Sequence, residues 1–141
     1  MKFDFIFSGE RGLSPLANLG TTLLRVFAGL SMMFAHGLGK IQDPSGVIGG
    51  ATKMGFPLPT VFGWAAAISE FAGAGMLALG LATRLSSFFV AFTMAVAFLG
   101  VHVSDPFEKQ EKALLYLFIA LLYLFKGAGD WSVDALITNK K

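Results

Sequence analysis

Glu70 is a lone carboxylate inside Thr60 to Arg84, TVFGWAAAISEFAGAGMLALGLATR, a stretch otherwise almost unbroken in apolar character. A charge at that depth in a bilayer costs a few kcal/mol or more, so its default role is functional and it faces other helices. Gly63, Ala66, Ala67, Gly73 and Ala74 lie within two turns on the same side, where small residues let a neighbouring helix approach closely. Arg25, His36 and Lys40 form a second set, sharing one helical face with Gly29 and Met32 at spacings of three and four. Arg25 and His36 would stand about 16 Å apart along that axis. His102 closes a third apolar run. A carboxylate and imidazoles can exchange protons, and a guanidinium or ammonium can stabilise a developing oxyanion. Tyr116 and Trp64 could stack on an aromatic ring, and Glu111 opens the run that holds Tyr116. The chain has no cysteine, which excludes disulfides, iron–sulfur clusters and thiol relays. Redox chemistry here must therefore borrow its electron carrier. No ligand set for a metal is expected.

These groups need elements to carry them, and composition says which. The chain is 55% hydrophobic and 14% charged, less charge than a soluble domain of 141 residues carries. Apolar segments run over about 19–38, 60–81, 85–103 and 113–125, and a polar first turn extends the last back to Pro106. The expected fold is an all-α membrane protein, a bundle of four transmembrane helices in a lipid bilayer. Residues 1–16 read as an interfacial segment, 17–137 as the membrane domain and 138–141 as a basic tail. Asp4, Glu10 and Arg11 interrupt any apolar core near the start, so no cleavable signal is expected. Residues 41–59, rich in Gly and Pro, read as a re-entrant or interfacial loop with a short helix after Pro44. The turn at 81–84 makes the second and third helices an antiparallel hairpin. Ser104-Asp105-Pro106 reads as the N-cap of the fourth. Lys2, Arg11, Arg84, Lys126, Lys140 and Lys141 fall on one side, and Lys40, Lys53, Lys109 and Lys112 on the other. That count places both termini in the cytoplasm. The net charge of +2 is dispersed, so nucleic acid is not an expected partner.

Side chains lean toward the N-terminus of their own helix, so Glu70, His36 and His102 converge in the outer half of such a bundle. Arg25 is directed away from Glu70, although its long side chain could reach it, and the pairing is left open. Lys40 and Glu111 also read as solvated helix-end residues, and Arg25 as one that snorkels to the headgroups. Without a cation beside it, a buried Glu70 would be protonated.

Arg25, His36-Gly37-x-x-Lys40, the loop ending Gly55-Phe56-Pro57-Leu58-Pro59 and Glu70 with Gly73 together resemble the DoxX family of small four-helix membrane proteins. Gly80-Leu81-x-Thr83-Arg84, Val101-His102, Glu111 and Trp131-Ser132-Val133-Asp134 continue the likeness over residues 19–137. The resemblance implies a bacterial or archaeal cytoplasmic membrane and association with quinone-linked oxidoreductase systems, thiosulfate or quinone and catechol stress among them. It carries over Arg25, His36, Lys40, Glu70, His102 and Glu111 as candidate site positions. The leading expectation is a membrane subunit that binds or reduces quinone, with electrons from a soluble or membrane oxidoreductase partner. Haem b held by His36 and His102 is a lesser alternative, because small-residue faces leave little width for a macrocycle. A proton-coupled exporter and a scaffold clasped by Glu70 and Arg25 are the non-enzymatic alternatives. A homo-oligomer is left open by the small-residue faces.

Overall fold

Ser14 starts the first long helix by accepting the Ala17 N–H at 3.3 Å, with Pro15 at the first helical position. The computed structural model describes residues 4–138, and these form helices joined by short loops, with no strand among them. The helices are α1 (Asp4–Phe7), α2 (Pro15–Gln42), α3 (Ser45–Lys53), α4 (Pro59–Leu79), α5 (Thr83–Val101), α6 (Phe107–Lys126) and α7 (Val133–Thr138). Three of them, α2, α4 and α5, are long and apolar enough to cross a membrane. Helix α6 has 20 residues, about 30 Å, but begins with a charged turn. Lys2, Phe3 and the basic tail with Lys140 and Lys141 lie outside the described residues.

Small residues set the axial register. A Cβ on Gly29 would meet Ala78 Cβ at 2.7 Å, and one on Gly37 would meet the Glu70 carbonyl oxygen at 2.5 Å. The α2 and α4 backbones therefore touch along two turns. Met32, Ala74, Val90, Ala91, Met94 and Ala120 form the core where α2, α4, α5 and α6 meet. Large apolar side chains such as Phe27, Phe34, Phe118 and Phe125 point outward and are exposed, as a lipid-facing surface requires. Each of α2, α4 and α5 also contains one wider π turn, at Met33–Gly37, Ser69–Gly73 and Ala97–Val101.

Several local expectations change. Helix α2 starts at Pro15 and runs on to Gln42, longer than the apolar run alone. Residues 41–59 do hold a helix after Pro44, and α3 packs on α4 with Ile48 against Gly63. Asp105 does not cap α6: that helix starts at Phe107 without a side-chain cap, and the carboxylate turns back to His102 instead. The N-terminal segment is also tied to the bundle. Arg84 Nε donates to the Ser8 carbonyl at 3.0 Å while its guanidinium covers the Phe5 ring at 4.4 Å.

The α4–α5 turn is held from far along the chain. Gly80 and Ala82 have positive φ of 68° and 44°, so the turn is tight. Asp134 accepts the Ala82 and Thr83 N–H groups at 2.7 and 2.9 Å, capping α5 with a carboxylate from α7.

Candidate functional site

Lys40 Nζ stands 2.6 Å from both carboxylate oxygens of Glu70, joining α2 to α4. The carboxylate is 2% exposed and the lysine 34%. Lys40, which reads in the sequence both as a candidate site position and as a solvated helix-end residue, is the counterion of the buried acid. The contact follows from the packing below it, where Gly37, one turn before Lys40, lets the Glu70 backbone come close. A π turn carries Glu70 itself, a feature that recurs at functional sites.

The histidines flank this pair. His36 lies one turn before Lys40 and meets the Tyr116 ring edge to face, 5.7 Å between centroids. His102 Nδ1 is 2.7 Å from Asp105 Oδ2, which fixes the ring and leaves Nε2 free for another partner. The same hydrogen bond holds the Asp105 carboxyl below the usual carboxylate range.

Two cavities meet at these residues. One, of about 360 Å³, is bordered by His36, Lys40, Glu70, His102, Lys109, Lys112 and Tyr116, with Met32 and Met94 among its apolar neighbours, and is the more polar of the two. The other, of about 600 Å³, lies between α3, α4 and α5 with walls of Met54, Phe56, Phe62, Phe89, Phe92 and Val96. Lys40, Glu70, Ala97 and His102 border both. The ion pair is thus the boundary between an apolar chamber and a polar one. Such an arrangement can hold a flat apolar molecule while moving protons and charge on its polar side.

The remaining candidates separate. Tyr116 borders the polar cavity. Trp64 is 39% exposed and borders neither cavity; Phe56 and Phe62, with rings 4.7 Å apart, occupy the place expected of it. Glu111 is exposed and borders neither, whereas Glu108, Lys109 and Lys112 border the polar cavity. Arg25 does not join the cluster. Its Nη2 donates to the Trp131 carbonyl at 2.8 Å, and its guanidinium lies against Gly80 and Ser132 at the end of the bundle that holds the α4–α5 turn. The open Glu70–Arg25 pairing is therefore resolved against Arg25. Lys109, Lys112 and Tyr116 share a face at spacings of three and four, a signal that sequence reasoning passed over. Among the described residues no three His, Asp or Glu side chains gather as a metal-ligand set.

The DoxX family model matches residues 20–103, which hold Glu70, Lys40 and both histidines. This chain belongs to the DoxX family. DoxX proteins are small integral membrane proteins, in keeping with the apolar exterior described above. The DoxX chain is 36% identical over 124 residues to a Bacillus subtilis protein named "Putative oxidoreductase CatD", covering 87% of this chain and 90% of that one. It is 33% identical over 111 residues to a Haemophilus influenzae protein named "Uncharacterized protein", covering 73% and 80%. No solved structure matches it.

Proposed function

We propose that this DoxX protein is the membrane subunit of a quinone-linked oxidoreductase system, a four-helix bundle in a bacterial or archaeal cytoplasmic membrane. Six Lys and Arg against four favour both termini in the cytoplasm, and in that orientation the two cavities lie in the outer half. The observation that carries the reading is the Lys40–Glu70 pair standing between an apolar chamber and a polar one, with His102 on the same boundary. The oxidoreductase name of the Bacillus subtilis relative agrees with it.

The residues suit a quinone. The apolar chamber would hold the ring among Phe56, Phe62, Phe89 and Phe92, with Lys40, Glu70 and His102 on its polar wall to serve the ring oxygens. A bound quinone would supply a couple that takes up two electrons and two protons. Lys40 stabilises negative charge at an oxygen, while Glu70 and His102 hold or release protons. The polar cavity links those groups to water beside Lys109 and Lys112. Electrons come from an oxidoreductase partner. Haem suits the site less well: His102 is tied to Asp105, His36 packs on Tyr116, and charged side chains occupy the cavity that both border. A scaffold held by a Glu70–Arg25 clasp loses its contact, since each has another partner.

The test is a near-ultraviolet difference spectrum of the protein purified in mild detergent as decylubiquinone is added. A saturable change that is lost or strongly weakened in Glu70→Gln supports the assignment. A flat spectrum, or one that is the same in Glu70→Gln, would sink it and leave proton-coupled export as the stronger reading of the carboxylate.

A further inference from the structure

The walls of the apolar chamber belong to the outside of the bundle. On α5, Val90, Ala91 and Met94 are buried in the core, whereas Phe89, Phe92, Thr93 and Val96 border the chamber. At 3.6 residues per turn the two sets lie on nearly opposite sides of the helix. Helix α4 repeats the division, with Ala67 and Ala74 buried and Phe62, Ala65 and Ala66 on the chamber. The chamber is therefore a groove on the flank of the bundle, between α4 and α5. Helix α3 covers one end of it, where Met54 Sδ rests on Gly100 in the last turn of α5 and leaves no room for a Cβ.

Farther from α3 the groove is open. Phe89 and Phe92 border it and are still 49% and 53% exposed. Phe92 is the middle residue of the 19-residue α5, about 14 Å from either end. In a hydrocarbon core about 30 Å thick that point is the centre of the bilayer, where an opening meets acyl chains and not water. The polar cavity opens elsewhere, beside the exposed Glu108, Lys109 and Lys112 near the start of α6. Lys40 and Glu70 thus stand between an entrance from lipid and an entrance from water.

We propose that the ligand of the apolar chamber enters from the bilayer, between α4 and α5, and carries a hydrocarbon tail that stays over Phe89 and Phe92 while its ring reaches Lys40 and Glu70. This deepens the quinone reading and rests on it, naming the substrate class as a lipid-borne quinone with a long tail. Half-exposed phenylalanines at a water-filled entrance would cost the hydration of apolar surface, and in lipid that cost is absent. The tail adds little affinity, because acyl chains are as apolar as the groove. Its effect is on direction: the ring goes in first, toward the end under α3, where His102 follows the last turn of α5.

The experiment photolabels the unmodified protein, in phospholipid nanodiscs, with a decylubiquinone analogue bearing a diazirine at the far end of its tail, and maps the labelled residues by mass spectrometry. Labelling should concentrate around Phe89 and Phe92 and be lost when excess decylubiquinone is added. Phe118, exposed on α6 and bordering neither cavity, should show only background labelling that decylubiquinone does not remove. Labelling that decylubiquinone removes around Lys109 and Lys112, or around Asp43 at the α3 end of the chamber, would overturn the lipid entrance and leave the quinone site standing. Labelling that decylubiquinone reduces nowhere, despite saturable binding in the difference spectrum, overturns the seat of the tail, which would then mix freely with the acyl chains. Absence of saturable binding by the unmodified protein removes the quinone reading and the entrance with it.

Discussion

Glu70 and Lys40 differ in how far each can reach water, and that difference decides what their substitutions do. The carboxylate is 2% exposed, whereas the lysine is 34% exposed and sits on a flexible stem. Lys40→Met strands a charge in a low-dielectric interior, or forces it to take a proton, at a cost of about 3–5 kcal/mol. Glu70→Gln should cost clearly less, since Lys40 can turn toward the polar cavity. The double variant should recover most of the Lys40→Met loss. Thermal unfolding in detergent reads all three, and equal damage from the two single changes would contradict this picture. Glu70 itself was legible in the sequence, because one acid in an apolar run of that length needs an interior partner. Its partner was not. Arg25 and Lys40 lie on one face of α2, and choosing between them requires the axial offset of α2 against α4, which periodicity within a helix does not encode. The place of Arg25 was hidden for a related reason: its acceptor, the Trp131 carbonyl, lies 106 residues away.

At the scale of elements, that offset is set by glycine contacts between α2 and α4. Gly37 presses on the Glu70 backbone, and a Cβ there would fall 2.5 Å from the Glu70 carbonyl oxygen. Backbone cannot yield as a flexible side-chain end does, so Gly37→Ala must push the helices apart. We expect a loss of about 1–3 kcal/mol, with Lys40 drawn away from Glu70. Gly20→Ala, on the same helix with nothing within 4 Å, should leave the melting temperature level or raise it. A Gly37→Ala protein as stable as the Gly20→Ala protein would refute the close contact. The long helices were legible from hydropathy, and the helix after Pro44 from its turn signals. The π turns were not, since one extra residue in a turn leaves no mark on an apolar pattern. Nor was the use of Asp105: a carboxylate before a helix can cap it or reach back three residues, and here His102 takes it.

At the scale of the whole molecule, the two ends of the described chain meet far from the ion pair, in polar contacts that hydropathy could not reveal. Arg11 donates to the Gly129 carbonyl and the Thr138 hydroxyl at 3.1 and 2.9 Å. Asp130 accepts from Asn18 Nδ2 at 2.7 Å and from the Gly12 and Leu13 N–H groups at 3.1 and 3.2 Å. The Asn18 amide, followed by the Gly12 N–H, holds the Asp130 carboxyl below the usual carboxylate range. A carboxyl lowered on folding contributes its stability in full above the unfolded value, about 3.9, and loses it as pH falls through the lower folded value. Asp130→Ala should therefore melt below the unmodified protein at neutral pH, and the gap should narrow on acidification toward about pH 3. Asp105 at the other end of the bundle is lowered by its own bond to His102, so the comparison belongs in an Asp105→Asn background, where that second acid response is removed. Because Asp130 and Glu70 share no partner, Asp130→Ala should also leave decylubiquinone binding unchanged at neutral pH. A gap that stayed constant down to about pH 3 would mean that the charge of Asp130 contributes nothing to joining the two ends.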